Sequence, residues 1–203
     1  MSNKFVYIIG DSYFRNNDNN WLNRCFSNFD YDVVNLSKGG ASFWNQFDHL
    51  ERLSDDKNFH NIEYCVMGWS DPCRPYFKGD PMNNNNIDFE YRRAWAILLY
   101  VNEILYKKYS HIKFINYFCF PYLSQFKSTG DEYFIFDNQI TLTPALYNLT
   151  YKKYGEQCQD IDNHFLDYQH ERMSNILYNI IFHNVNRGII DLQEVTKEYD
   201  HNA

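Results

Sequence analysis

The sequence predicts an α/β fold: a single domain of three layers, α/β/α, built on an open parallel sheet of about five strands. Three observations lead there. Four runs, residues 5–9, 31–36, 62–67 and 112–118, are rich in β-branched and aromatic residues and continuous rather than alternating, the pattern of strands buried on both faces. Segments with helical spacing of apolar residues lie between them. A chain of 203 residues, 44% hydrophobic, buries one good core and is short for two, so residues 1–203 read as one domain.

The first run, Phe5 to Ile9, stops abruptly at Gly10-Asp11-Ser12. Trp21, Leu22, Cys25 and Phe26 then share one helical face, and the second strand runs to Leu36 before the glycine turn "SKGGAS". Phe43, Phe47, Leu50 and Leu53 line the next helix, and the third strand gives way to "GWSDPCR". Residues 72–88 hold few apolar anchors and a run of four asparagines, which predicts a loop. A long helix follows with Trp95, Leu98, Leu99, Asn102 and Leu105 on its inner face. It ends at Lys107-Lys108, where cations suit the negative helix end. Beyond the fourth strand, residues 121–161 exceed an ordinary connection and offer a fifth strand at 133–136. The last helix repeats Met173, Ile176, Leu177, Ile180 and Ile181 at three and four, with Asp167 as N-cap and Gly188 as its stop.

A net charge of −7 argues against a polyanionic partner, because phosphate contacts draw on clustered Lys and Arg, so no nucleic acid is expected. No basic segment with an apolar core and a cleavage site opens the sequence, and no apolar run approaches a membrane span. The five cysteines form no C-x-x-C pair. A cytoplasmic, reducing location is the expectation. The Asn- and Tyr-rich, Ala-poor composition suits an AT-rich genome, a virus or phage among the sources that fit. Oligomeric state is not legible.

In such a sheet the carboxyl ends of the strands converge on one crevice. Here they deliver a serine after the first strand, a glycine turn after the second, a small polar cluster after the third, and "DIDNHFLDYQH" ahead of the last helix. Nucleophile, oxyanion donors, and a base with its orienter are the parts of acyl transfer. No His, Cys, Asp and Glu cluster has convincing metal spacing: Asp160, Asp162 and His164 would be the nearest approach, and the serine arrangement accounts for the last two better. Neither metal nor cofactor is expected.

Gly-Asp-Ser after the first strand, Gly after the second, a G-x-N-D-like block after the third and Asp/His before the C-terminal helix, in that order along the chain, resemble the SGNH hydrolases, also called GDSL esterases and lipases. The resemblance implies a flavodoxin-like parallel sheet and hydrolysis of a carboxylic ester, whether of a lipid, an acetylated sugar or a thioester. It implies Ser12 as nucleophile and the Gly40 N–H as an oxyanion donor. Ser70 stands where the family has Asn, whose amide is a further donor. Losing one such donor lowers catalysis by ~100-fold to ~1000-fold. Asp11, Trp69, Asp71 and Arg74 surround these positions as candidate substrate contacts. For the fourth block two pairs match: Asp162 with His164, preferred because His164 precedes the helix, and Asp167 with His170. The rival reading is an SGNH-like binding or structural module weakened at Ser70. A flavin or nucleotide binder shares the topology but lacks a Gly-rich phosphate loop.

Overall fold

The computed structural model describes residues 4–14, 20–73, 87–119, 136–143, 146, 165, 167–192 and 195, with Asp88 and Asp167 by backbone only. The four apolar runs are strands: β1 (Phe5–Ile9), β2 (Asp32–Asn35), β3 (Ile62–Trp69) and β4 (Lys113–Phe118). Two more follow, β5 (Ile140–Thr143) and β6 (Gly188–Asp191). All neighbours pair parallel in the order β2-β1-β3-β4-β5-β6, so the sheet has six strands rather than about five. Of the expected fifth strand, residues 133–135 lie outside the described residues, and Phe136 is buried but not in a strand.

Residues alternate across the sheet and build two cores. On one face Val6, Ile8, Tyr64, Val66, Ile115 and Tyr117 meet α1 (Trp21–Phe26) and the last helix, α5 (Asp167–Phe182). On the other, Tyr7, Ile9, Cys65, Met67 and Phe114 meet α2 (Phe43–Glu51) and α3 (Ile87–Tyr100). Helices on both faces give the α/β/α layering.

Local chemistry sets the helix limits. Asn20 caps α1 by accepting the Leu22 N–H at 2.8 Å. Ser42 and Asn45 form a reciprocal capping box at the start of α2. Ile87 and Asp88, expected in a loop, already belong to α3. This helix continues through a π-turn (Val101–Leu105) into the short α4 (Tyr106–Lys108), with the Tyr106 N–H reaching back to the Val101 carbonyl. The turn sends Asn102 inward, where its Oδ1 accepts the Asp137 N–H at 2.9 Å. Leu99, expected on the inner face, is 45% exposed.

The end of α5 corrects the sequence reading. Asn184, with φ 52°, occupies the left-handed position. The Val185 N–H bonds the Ile180 carbonyl at 2.9 Å and the Asn184 N–H that of Ile181 at 3.1 Å, a Schellman motif. Gly188 instead begins β6, with φ 130°. Asp167 is the first helical residue of α5 rather than its cap. No helix of the described residues is long and apolar enough to cross a membrane.

Candidate active site

The site builds from the turn that follows β1. The Asp11 carbonyl accepts the Phe14 N–H at 3.1 Å and its Oδ1 the Tyr13 N–H at 3.1 Å, winding Ser12–Phe14 into one 3₁₀ turn. Phe14 anchors it. A Cβ placed on Gly10 would lie 2.6 Å from the Phe14 ring, and one on Gly68 2.1 Å from it, so two glycines at the ends of β1 and β3 form the ring's seat. Trp21 and Tyr117 close the other sides edge-on, at 5.5 and 5.6 Å between ring centroids. The Trp21 Nε1–H donates to the Tyr13 carbonyl and the Asn35 side-chain amide to that of Phe14 at 2.9 Å. Ser12, half-buried, rides on this fixed turn while Asp11, Tyr13 and Phe14 are buried.

The loop after β2 lies against the same turn. The Leu36 N–H donates to the Ile8 carbonyl at 2.8 Å and the Lys38 N–H to that of Gly10 at 3.3 Å, continuing the pairing past the strand ends. The Ala41 N–H closes on the Lys38 carbonyl at 3.0 Å. Gly40 holds φ 76° in this exposed turn, a conformation that favours glycine.

After β3 the chain departs from the expectation twice. Trp69, expected at the pocket, is fully buried. Its Nε1–H donates to Asn116 Oδ1 at 3.1 Å, the Tyr106 hydroxyl donates to the same oxygen at 2.5 Å, and Phe43 packs on its ring. A core network occupies it, because this last residue of β3 faces α2 and α3. Ser70, expected as a weak oxyanion donor, is also fully buried, and its hydroxyl donates to Asp11 Oδ2 at 3.0 Å. A hydroxyl carries a single proton, so in this geometry Ser70 directs it to Asp11. The Ser70 N–H goes to Gln46 Oε1 at 2.7 Å. Asp71 caps the turn that follows, accepting the Cys73 N–H at 2.8 Å. Burial first, then the Asp71 charge, pushes the Cys73 thiol up to about 12 and raises the Tyr91 phenol. Arg74 lies outside the described residues.

Of the fourth block, Asp162 and His164 also lie outside the described residues. His170 falls in the first turn of α5 and is 3% exposed. Its ring meets that of Phe165 edge-on at 5.6 Å, and Phe165 in turn lies 5.7 Å from the Tyr13 ring. Two ring contacts therefore link His170 to the residue beside Ser12. The structure brings together Ser12, Asp11, Ser70 and the Gly40 loop.

One residue at this edge escaped the sequence reading. Gln46, on α2 and 1% exposed, accepts the Ser70 N–H, and its Nε2 has no hydrogen-bond partner among the described residues. A buried donor left unmet costs about 1–3 kcal/mol. The signal was available: Gln46 is the polar residue on the stripe Phe43, Gln46, Leu50, at helical spacing on the inner face.

Burial makes the Cys25 and Cys65 thiols weak nucleophiles. It pushes Cys25 up to about 12 and Cys65 higher still, and the thiolate is the reactive form. Cys25, Cys65, Cys73 and Cys119 are all buried and in no disulfide. Among the described residues, no group of three or more His, Cys, Asp or Glu could hold a metal ion. A comparison of the chain with protein-family models gave no match, and one with curated proteins gave none either.

Proposed function

We propose that the chain is a serine ester hydrolase of the SGNH type that works through a Ser12 acyl-enzyme. The observation that supports this most is the place of Ser12. Ser12 is a half-buried residue on a fixed turn at the carboxyl end of β1, next to β3, where the strand order reverses and open α/β sheets hold their ligands. The Asp11–Ser70 hydrogen bond spans that point.

In the reaction Ser12 Oγ bonds to the acyl carbon as an imidazole takes its proton. The same proton goes to the departing alcohol when the ester C–O bond breaks, and water then repeats the sequence to release the acid. His164 oriented by Asp162 is the proposed base, with His170 and Asp167 as the alternative pair. The substrate is a small-molecule or glycan ester or a thioester.

A fluorophosphonate label and p-nitrophenyl acetate and butyrate test the reading: the label attaches to Ser12, and turnover vanishes in Ser12→Ala. Separate His164→Ala and His170→Ala variants identify the base, which is the one whose loss abolishes turnover. The second reading, a binding module that keeps the fold without catalysis, is favoured by the Ser70 hydroxyl being engaged by Asp11. No labelling, and turnover equal to Ser12→Ala, selects it.

A further inference from the structure

We propose that Gln46 supplies a side-chain N–H to the substrate's acyl oxygen at Ser12, an inference that rests on the hydrolase reading above. The orientation of its amide follows from the hydrogen bonding. A backbone N–H only donates, so the atom 2.7 Å from the Ser70 nitrogen is the oxygen, and Nε2 is turned to the other side of the carboxamide. That Nε2 is buried and unpartnered among the described residues, and Gln46 is held on a helix whose first turn is fixed by the Ser42–Asn45 capping box. Buried donors without partners invite a functional explanation.

Its location supplies one. Gln46 bonds Ser70, Ser70 bonds Asp11 at 3.0 Å, and Asp11 adjoins Ser12, so the orphan donor lies at the β1–β3 end where the reaction is proposed. The groups that β3 itself sends there are engaged: the Ser70 hydroxyl on Asp11, its N–H on Gln46, and the Trp69 indole N–H on Asn116. As Ser12 Oγ bonds to the acyl carbon, the carbonyl π pair moves onto oxygen, and a preorganised N–H stabilises that charge. When the alcohol leaves, the pair returns to the carbonyl, so Gln46 neither gains nor loses a proton.

The test compares wild type, Gln46→Met and Gln46→Glu on p-nitrophenyl acetate, with near-ultraviolet circular dichroism to confirm the fold. Gln46→Glu keeps an oxygen for the Ser70 N–H and removes the amide donor. The expected result is a kcat about 100-fold to 1000-fold lower in both variants, with KM changed less than about threefold. The activity of Gln46→Glu relative to wild type rises as pH falls, because a protonated carboxyl regains a hydrogen to donate. Urea unfolding of Gln46→Glu over the same pH range is the control: in a purely structural role activity follows stability, whereas a donor role raises kcat at unchanged stability. If folded Gln46→Met keeps kcat within about threefold of wild type, the proposal is overturned and the hydrolase reading stands. If wild type shows no Ser12-dependent turnover, both fall.

Discussion

Gly68→Ala puts one methyl group where the Phe14 ring sits. The new Cβ would lie 2.1 Å from Phe14 Cε2 and 2.6 Å from Cδ2 and Cζ, against 3.4 Å or more for ordinary contact, so ring and strand must separate by about 1.3 Å. The ring cannot simply slide, since Gly10 backs it and Trp21 and Tyr117 flank it. Overpacking of this kind costs about 1–3 kcal/mol, and the enclosure puts this case near the upper figure. For a chain of this size that is a Tm loss of roughly 6–12 °C. Alanine in place of glycine also stiffens the unfolded chain and stabilises by about 0.4–1 kcal/mol, so the observed loss understates the clash. Phe14→Leu removes the clashing ring atoms. Thermal unfolding of both single variants and the double variant should show the double more stable than the sum of the singles by about 1 kcal/mol or more, within the usual range for contacting pairs. Losses that add within about 0.5 kcal/mol, or an unchanged Tm for Gly68→Ala, would refute the seat.

Two further outcomes test other parts of the structure. The Cys25 thiol, held up at about 12 by burial, contributes stability that is complete below its unfolded value of about 8.5 and is lost as pH rises toward 12. Urea unfolding should therefore lose stability more steeply above about pH 9 in wild type than in Cys25→Ala, and equal slopes would contradict the assignment. At the end of α5, Asn184→Val forces a β-branched residue into the left-handed region at a cost of about 1–2 kcal/mol, whereas Asn184→Gly keeps the wild-type Tm. Equal melting of the two variants would show that the Schellman geometry is not what ends the helix.

The first four strands were legible because each is a continuous apolar run, and the boundaries shifted by two residues or fewer. β5 was not, because Thr141 and Thr143 make a four-residue strand look polar. Thr141 is nevertheless fully buried, its Oγ1 accepting the Phe136 N–H at 3.2 Å. β6 was hidden for another reason: Gly188 read as a helix stop, while Asn184 performs that task a few residues earlier. At the candidate site the sequence showed which residues end the strands but not which way each side chain faces. Trp69 and Ser70 are neighbours in sequence, yet one enters the core beneath α2 and α3 and the other bonds across to β1. Gln46 was passed over although it stands on the inner stripe of α2 between Phe43 and Leu50, because a glutamine inside a helix ordinarily reads as surface.

The Asp11–Ser70 hydrogen bond joins positions 59 residues apart, and the Phe14 ring reaches nearly as far along the chain to its seat on Gly68. During synthesis the segment carrying Ser12 therefore leaves the ribosome well before the strand that fixes its geometry. A nascent chain ending ahead of β3 contains the serine and the start of its turn but neither Ser70 nor the Gly68 side of the Phe14 seat. In the proposed hydrolase the base, His164 or His170, emerges later still, so reactivity at Ser12 would report completion of the whole site, and its appearance in chains of increasing length would time that last step of folding.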